Sequence, residues 1–212
     1  MRIAVIGMGN VGSVLGRRWA AAEHEVTFCV RNPVDPGKRA QAGRVKAAVG
    51  PVSDAARAEA VLLAVPWGAV PEVLKAAGDL SGKVLLDCTN PVTPDLIRLT
   101  IGHTTSAGEE VARQAPRARV VKVFNTNGAK NMANPDYGRH KVTMLYAGDD
   151  KGANRAAAEL AEQIGFEPVY LGPLKEARLL EPLAMAWIVL ARHRGLGRDF
   201  ALDVVRRPDA SR

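Results

Sequence analysis

Glycines at positions 7, 9 and 12, in "GMGNVG", follow the apolar run Ile3 to Ile6 and precede a segment with Val11, Leu15 and Trp19 four residues apart. The run reads as a strand and the four-residue spacing as one face of a helix, so the glycines occupy a strand-to-helix turn. A turn of this kind is suited to holding phosphate. Gly7 permits the tight turn off the strand, Gly9 leaves bare backbone for a pyrophosphate to approach, and Gly12 lets helix and strand pack closely. The helix that starts there presents unpaired N–H groups and the positive end of its dipole. With a second strand over residues 25–30, the pattern predicts a dinucleotide site.

The end of that second strand bears on which dinucleotide. An acid there would hold the adenosine ribose hydroxyls, but "CVRNP" has Arg31 and Asn32 instead. A guanidinium can stack on adenine and pair with a 2′-phosphate, and Lys38 and Arg39 follow in the next loop. NADP is therefore expected over NAD. No Ser/His/Asp set, Cys/His pair or paired carboxylates stand out, and His24, His103, His140 and His193 lack metal-ligand spacing. No residue is assigned as catalytic and no metal is expected. That absence fits hydride transfer between two organic rings, where the protein stacks the partners and excludes water.

The elements needed to position these groups alternate along the chain. Strands are expected at residues 2–7, 24–30, 59–65, 83–89, 118–126, 141–149 and 166–172. Helices are expected at 11–22, 66–80, 105–116 (capped by Thr105 or Ser106), 151–165 and 175–193, with a loop and short helix within 32–46. This order predicts an α/β fold, a Rossmann-type doubly wound, mostly parallel sheet. The expectation is a single NAD(P)-binding domain over residues 1–212, with 173–212 as a helical C-terminal extension.

Among the 212 residues, 47% are hydrophobic, enough for a sizeable core, and no run approaches the ~20 apolar residues of a membrane span. The N-terminal apolar run is already a strand, so no leader is expected. The formal net charge of +7 favours anionic partners, but the basic residues are scattered, which disfavours nucleic acid. Cys29 and Cys88, each near a strand end, read as small buried hydrophobes in a reduced, cytoplasmic protein.

Further along, "VLLAVPWGAVPEVL", "VVKVFNTNGAKNMANP", "YAGDD" and "LGPLKEARLLEPLAMAWIVLARHRGLG" join "GMGNVG" in order over nearly the whole chain. In these motifs the sequence resembles the NADP-dependent oxidoreductases of the deazaflavin (coenzyme F420) reductase family. The resemblance implies that Met8, Gly9, Asn10 and Val11 hold the pyrophosphate and that Arg31 contacts the 2′-phosphate. It implies that Val65, Pro66, Trp67 and Val70 lie along the cofactor, and that Asn90, Pro91 and Val92 approach the nicotinamide. Asn125 to Ala129 would border the pocket for the deazaflavin, a second substrate. One departure is Val30, where the family has a small hydroxyl residue, which removes one phosphate contact.

Two alternatives stay open: another acceptor (flavin, ferric chelate, imine or ketone), or a non-catalytic NADPH-binding sensor. Imine-reducing relatives carry a long helical dimerisation domain, for which this chain is short. The segment "LLEPLAMAWIVLARH" places Leu179, Leu183, Trp187 and Leu190 on one stripe, and almost its whole circumference is apolar. A helix apolar all round must be covered on more than one side. The expected cover is a second copy, giving a homodimer through the C-terminal helices; the other candidate is the tail from Gly197 folding back.

Overall fold

The computed structural model describes residues 1–138 and 141–207; His140 and residues 208–212 of the expected extension lie outside them. The strands are β1 (Arg2–Ile6), β2 (Glu25–Cys29), β3 (Ala48–Gly50), β4 (Ala60–Leu63), β5 (Val84–Asp87), β6 (Arg119–Lys122), β7 (Thr143–Gly148) and β8 (Glu167–Gly172). They form one sheet in the order β3-β2-β1-β4-β5-β6-β7-β8. The first six are parallel, β7 runs antiparallel to β6, and β8 is parallel to β7. The first six follow the 3-2-1-4-5-6 order of dinucleotide folds, which reverses between β1 and β4. This is the fold class expected from the sequence.

The helices are α1 (Asn10–Ala21), α2 (Pro36–Gly43), α3 (Val70–Ala77), α4 (Ala107–Gln114), α5 (Ala129–Ala133), α6 (Lys151–Gln163) and α7 (Ala177–Arg192). Alternate residues of β1 explain the double winding. Ile3 and Val5 enter a cluster with Leu15 and Trp19 of α1, while Ala4 and Ile6 enter one with Val70, Val73 and Leu74 of α3. Asp35, Ser106 and Asp150 cap α2, α4 and α6 by accepting from Lys38 N, Glu109 N and Ala153 N. Ser106, not Thr105, is thus the cap of α4. Two elements were not expected: β3, three residues long, and α5, five residues long.

The last segment is held by buried charge. Lys122, Asp87 and Glu181 are all fully buried. The Lys122 ammonium donates to Asp87 Oδ2 at 3.0 Å and Thr89 O at 2.6 Å, and lies 2.8 Å from Glu181 Oε1. Its three donors thus meet three oxygens. Glu181 also accepts from Ala107 N and Gly108 N at the start of α4, and Asp87 Oδ1 accepts from Thr89 N and Oγ1. Burial alone would lower the ammonium pKa, but the two carboxylates outweigh it and hold it above the ordinary lysine value.

Past α7 the chain folds back. Phe200 stacks on Trp187 with ring centroids 5.3 Å apart, and its carbonyl accepts from Trp187 Nε1 at 3.0 Å and Asn131 Nδ2 at 2.5 Å. Asp203 Oδ1 accepts from Thr143 N and Oγ1. The tail therefore covers Trp187, yet Leu179 on the same helix remains 57% exposed.

Lys122→Met should destabilise the protein by about 3–5 kcal/mol, because two buried carboxylates lose their counter-ion. Urea unfolding followed by circular dichroism measures this, and an unchanged midpoint would contradict the assignment.

Candidate functional site

Two clefts flank the start of α1, at the carboxyl ends of the parallel strands. The helix begins on bare Gly9, with no side-chain cap and no acid in its first turn. Its leading N–H groups are therefore available to an anion.

The three turn glycines are required for three separate reasons. Gly7 has φ +100°, and a Cβ there would run into the carbonyl of Ala64 just past β4. A Cβ on Gly12 would strike the Gly7 carbonyl, so the helix can seat against the turn only without one. A Cβ on Gly9 would meet nothing within 4 Å. Gly9 faces open space, and a side chain there would fill the cradle.

The first cleft is lined by Gly7, Met8 and Gly9 from the turn, Val30, Arg31 and Lys38 from the β2 side, and Val65 and Pro66 past β4. Neither Arg31 nor Lys38 makes a side-chain hydrogen bond or ion pair among the described residues, whereas Arg39 is tied to Pro33 O at 2.9 Å. Asn32 stands outside the lining, its side chain accepting from Val34 N at 3.3 Å. Trp67 packs half-buried on the apolar cluster of α3, and Val70 has no exposed surface. Cys29, deep in this cleft, has its thiol pushed up to about 12 by burial and by Asp54, so it stays protonated.

The second cleft lies on the other side of α1. Asn10 and Val11 line it together with Asn90, Asn125 and Ala129. The two asparagines brace one another: Asn90 Nδ2 donates to Asn125 O at 2.9 Å, and Asn125 Nδ2 donates to Asn90 Oδ1 and Leu180 O, each at 3.1 Å. Phe124, with φ +61°, makes the turn off β6 that leads into this pair. A left-handed conformation costs a non-glycine residue about 1–2 kcal/mol. Pro91 and Val92 lie just outside, in a loop where Pro91 O accepts from Thr100 N and Oγ1 and Val92 bridges to Leu99.

Asn127, within the 125–129 stretch expected to border this pocket, lines it too. Sequence reasoning missed Ala184, Trp187 and Ile188 of α7, which form a wall. The Trp187 ring lies against Gly128, where an added Cβ would come within 2.5 Å of it. A tryptophan amid aliphatic residues was the available signal, but periodicity alone assigns it to a packing stripe. The amide oxygens of Asn125 and Asn127 are buried without a hydrogen-bond donor among the described residues, while their Nδ2 atoms donate to Leu180 O and Thr143 O. Those carbonyl partners fix which way each amide points. Cys88 also lines the cleft; burial, reinforced by Asp87, pushes its thiol pKa well up, and Sγ donates to Leu63 O at 3.1 Å. It has no nucleophilic character.

Residues 2–91 match the family profile described as NADP oxidoreductase, coenzyme F420-dependent. A solved candidate F420-dependent NADP-reductase from Arthrobacter sp. FB24 is 31% identical, with a TM-score of 0.87 over 96% of this chain and 99% of its own. A solved hypothetical protein, SMa0349 of Sinorhizobium meliloti, is 30% identical, with a TM-score of 0.75 over 84% of this chain and 88% of its own. The metalloreductase STEAP3 of Rattus norvegicus is 28% identical over 87% of this chain, which spans 36% of the rat protein.

Gly9→Val should leave the ligand-free fold as stable as before yet remove stabilisation by NADP⁺, about 2.7 kcal/mol at a hundredfold excess over Kd. Gly12→Ala should instead destabilise the ligand-free protein by about 1–3 kcal/mol through overpacking. Thermal melts with and without NADP⁺ separate the two; equal behaviour would refute the division of labour among the glycines.

Proposed function

Since this chain belongs to the family of coenzyme F420-dependent NADP oxidoreductases, we propose that it transfers hydride between NADPH and a deazaflavin of the F420 type. It is an NADP-dependent oxidoreductase. The observation that carries the finer reading is the pair of clefts meeting at the uncapped start of α1, one holding the unpaired Arg31 and Lys38 and the other lined by the braced amides of Asn90 and Asn125.

The residues fit the cofactor. Gly9 and the first N–H groups of α1, at Asn10 and Val11, receive the pyrophosphate, with Gly7, Met8 and Gly12 shaping the turn. Arg31 and Lys38 are free to take the 2′-phosphate, and Val65 and Pro66 form an apolar edge beside them. Bound NADPH supplies a hydride from its nicotinamide C4, which the acceptor ring takes at C5. The Asn90–Asn125 brace holds the shape of the ring pocket. Trp187, Ile188 and Val14 wall the pocket with apolar surface and keep water from the reacting atoms.

We take the chain to act as one domain, because α7 docks on the sheet through Leu180, Glu181 and Ala184 instead of building a core of its own. Its two cysteines are free and buried, in keeping with a cytoplasmic protein. None of the described helices is long and apolar enough to cross a membrane. We also propose a homodimer through α7: Leu179 is exposed and Leu183 and Leu190 are half-buried along its outer side, in reach of a two-fold partner helix.

Mixing the protein with NADPH and a deazaflavin should bleach the deazaflavin absorbance; clean NADPH binding with no turnover would remove this acceptor and favour a flavin or ferric chelate. Arg31→Ala should weaken NADPH binding by about 1.5–3 kcal/mol and leave NADH binding nearly unchanged in titrations; equal losses would sink the 2′-phosphate role. Light scattering at micromolar concentration should give twice the chain mass, falling to a monomer in Leu179→Lys. A wild-type monomer would overturn the dimer.

A further inference from the structure

The first cleft has a volume of about 290 Å³, near the lower end of the roughly 300–1,000 Å³ range of small-molecule sites. It holds one end of a dinucleotide and not the whole. Polar side chains in it are few. Among the described residues of its lining, Arg31 and Lys38 are cations, Glu72 is the single carboxylate, and Cys29 keeps its proton and donates weakly to Thr27 O at 3.8 Å. The remaining lining residues are glycines or carry apolar side chains. Glu72 is therefore the one side chain there with strong hydrogen-bond acceptors. It is exposed and makes no hydrogen bond or ion pair with any described residue.

The charged groups reach the cleft from different elements. Arg31 follows β2 and Lys38 lies on α2, whereas Glu72 stands in the first turn of α3. Ala69, the cap of α3, lies three and four positions before Glu72 and Val73, so the three share one helix face, and all three line the cleft. Val30 and Val52 add apolar surface from other segments. The cleft thus combines a cationic flank, apolar walls suited to a flat heterocycle, and one group that can only accept. That group repels a 2′-phosphate, so it does not serve the anion that Arg31 and Lys38 receive. An acid in the first turn also complements the dipole of α3, but that role calls for no place in a cleft. Adenine, by contrast, presents a donor at its N6 amine.

We infer that Glu72 reads the base of the dinucleotide, its carboxylate accepting from the N6 amine of adenine and so selecting adenine over a purine with a carbonyl at that position. A carbonyl there would set its oxygen against the carboxylate, two acceptors with no proton between them. This inference rests on the reading that the first cleft receives the adenosine half. It is independent of which acceptor takes the hydride.

Nicotinamide hypoxanthine dinucleotide phosphate replaces that amine by a carbonyl and keeps every phosphate of NADP⁺, which makes the pair the probes. Because the phosphates are shared, the ratio of the two affinities cancels the change in local field when Glu72 is neutralised. Calorimetric titration of the full chain should show NADP⁺ binding about tenfold more tightly than the analogue, the scale of one hydrogen bond to a charged group. In Glu72→Ala the two affinities should become equal. Glu72→Gln, whose amide can accept from the amine or donate to the carbonyl, should also lose the preference while retaining NADP⁺ affinity. Equal affinities in the wild type, or a preference that persists in Glu72→Ala, would overturn the inference. The wild-type ratio tests the selection without any substitution. Arg31→Ala separates the two readings. Unchanged NADP⁺ affinity in that variant would remove the first cleft as the adenosine site, and the role of Glu72 with it. A loss there beside an unchanged ratio in Glu72→Ala would overturn the role of Glu72 alone.

Discussion

A lysine ammonium with no access to water governs how the second half of this chain is arranged. Stranding a charge at Lys122 would cost several kcal/mol, and the cost is met only when Asp87, Thr89 O and Glu181 are all in place. Those groups come from three separate stretches: the end of β5, the loop after it, and α7. Satisfying one ion thus fixes where α7 crosses the sheet. Glu181 passes the constraint on to α4 through its first two N–H groups.

The amide brace of the second cleft lies one residue away from this network at two points. Thr89, whose carbonyl holds Lys122, precedes Asn90; Leu180, whose carbonyl holds Asn125, precedes Glu181. A buried charge cluster and a polar clamp thereby share a backbone. Tilting α7 would strain both at once, which gives the second cleft a defined shape before any ligand arrives. Pre-organisation of this sort lowers what binding must spend on ordering side chains.

Local chemistry was legible in the sequence. The turn glycines and the caps of α4 and α6 depend on neighbours a few residues away, and the alternation of the longer strands and helices could be followed along the chain. Short elements escaped: β3 forms because an edge position beside β2 was available, and five-residue α5 because α1 packs on it, neither of which leaves a period to read. Trp187 illustrates the larger limit. Periodicity assigned Trp187 to a stripe, yet it forms a wall of the second cleft. Lys122 gave no signal, since "VVKVF" reads as any strand with one polar residue, and Glu181 looked only like an interruption in an apolar run.

The long loop between Lys122 and Glu181 has a temporal side. During synthesis the chain emerges from its N-terminus, yet Trp19 of α1 finds its cover and its hydrogen-bond acceptor only when Phe124 and Leu160 arrive. Strand β6 is then made long before the carboxylate that completes its lysine's shell. Until Glu181 leaves the ribosome, Lys122 has Asp87 but lacks its second counter-ion, and α4 lacks the acceptor for its first two amides. Both halves of the molecule therefore wait for late residues: α1 for Leu160, and the second cleft for α7.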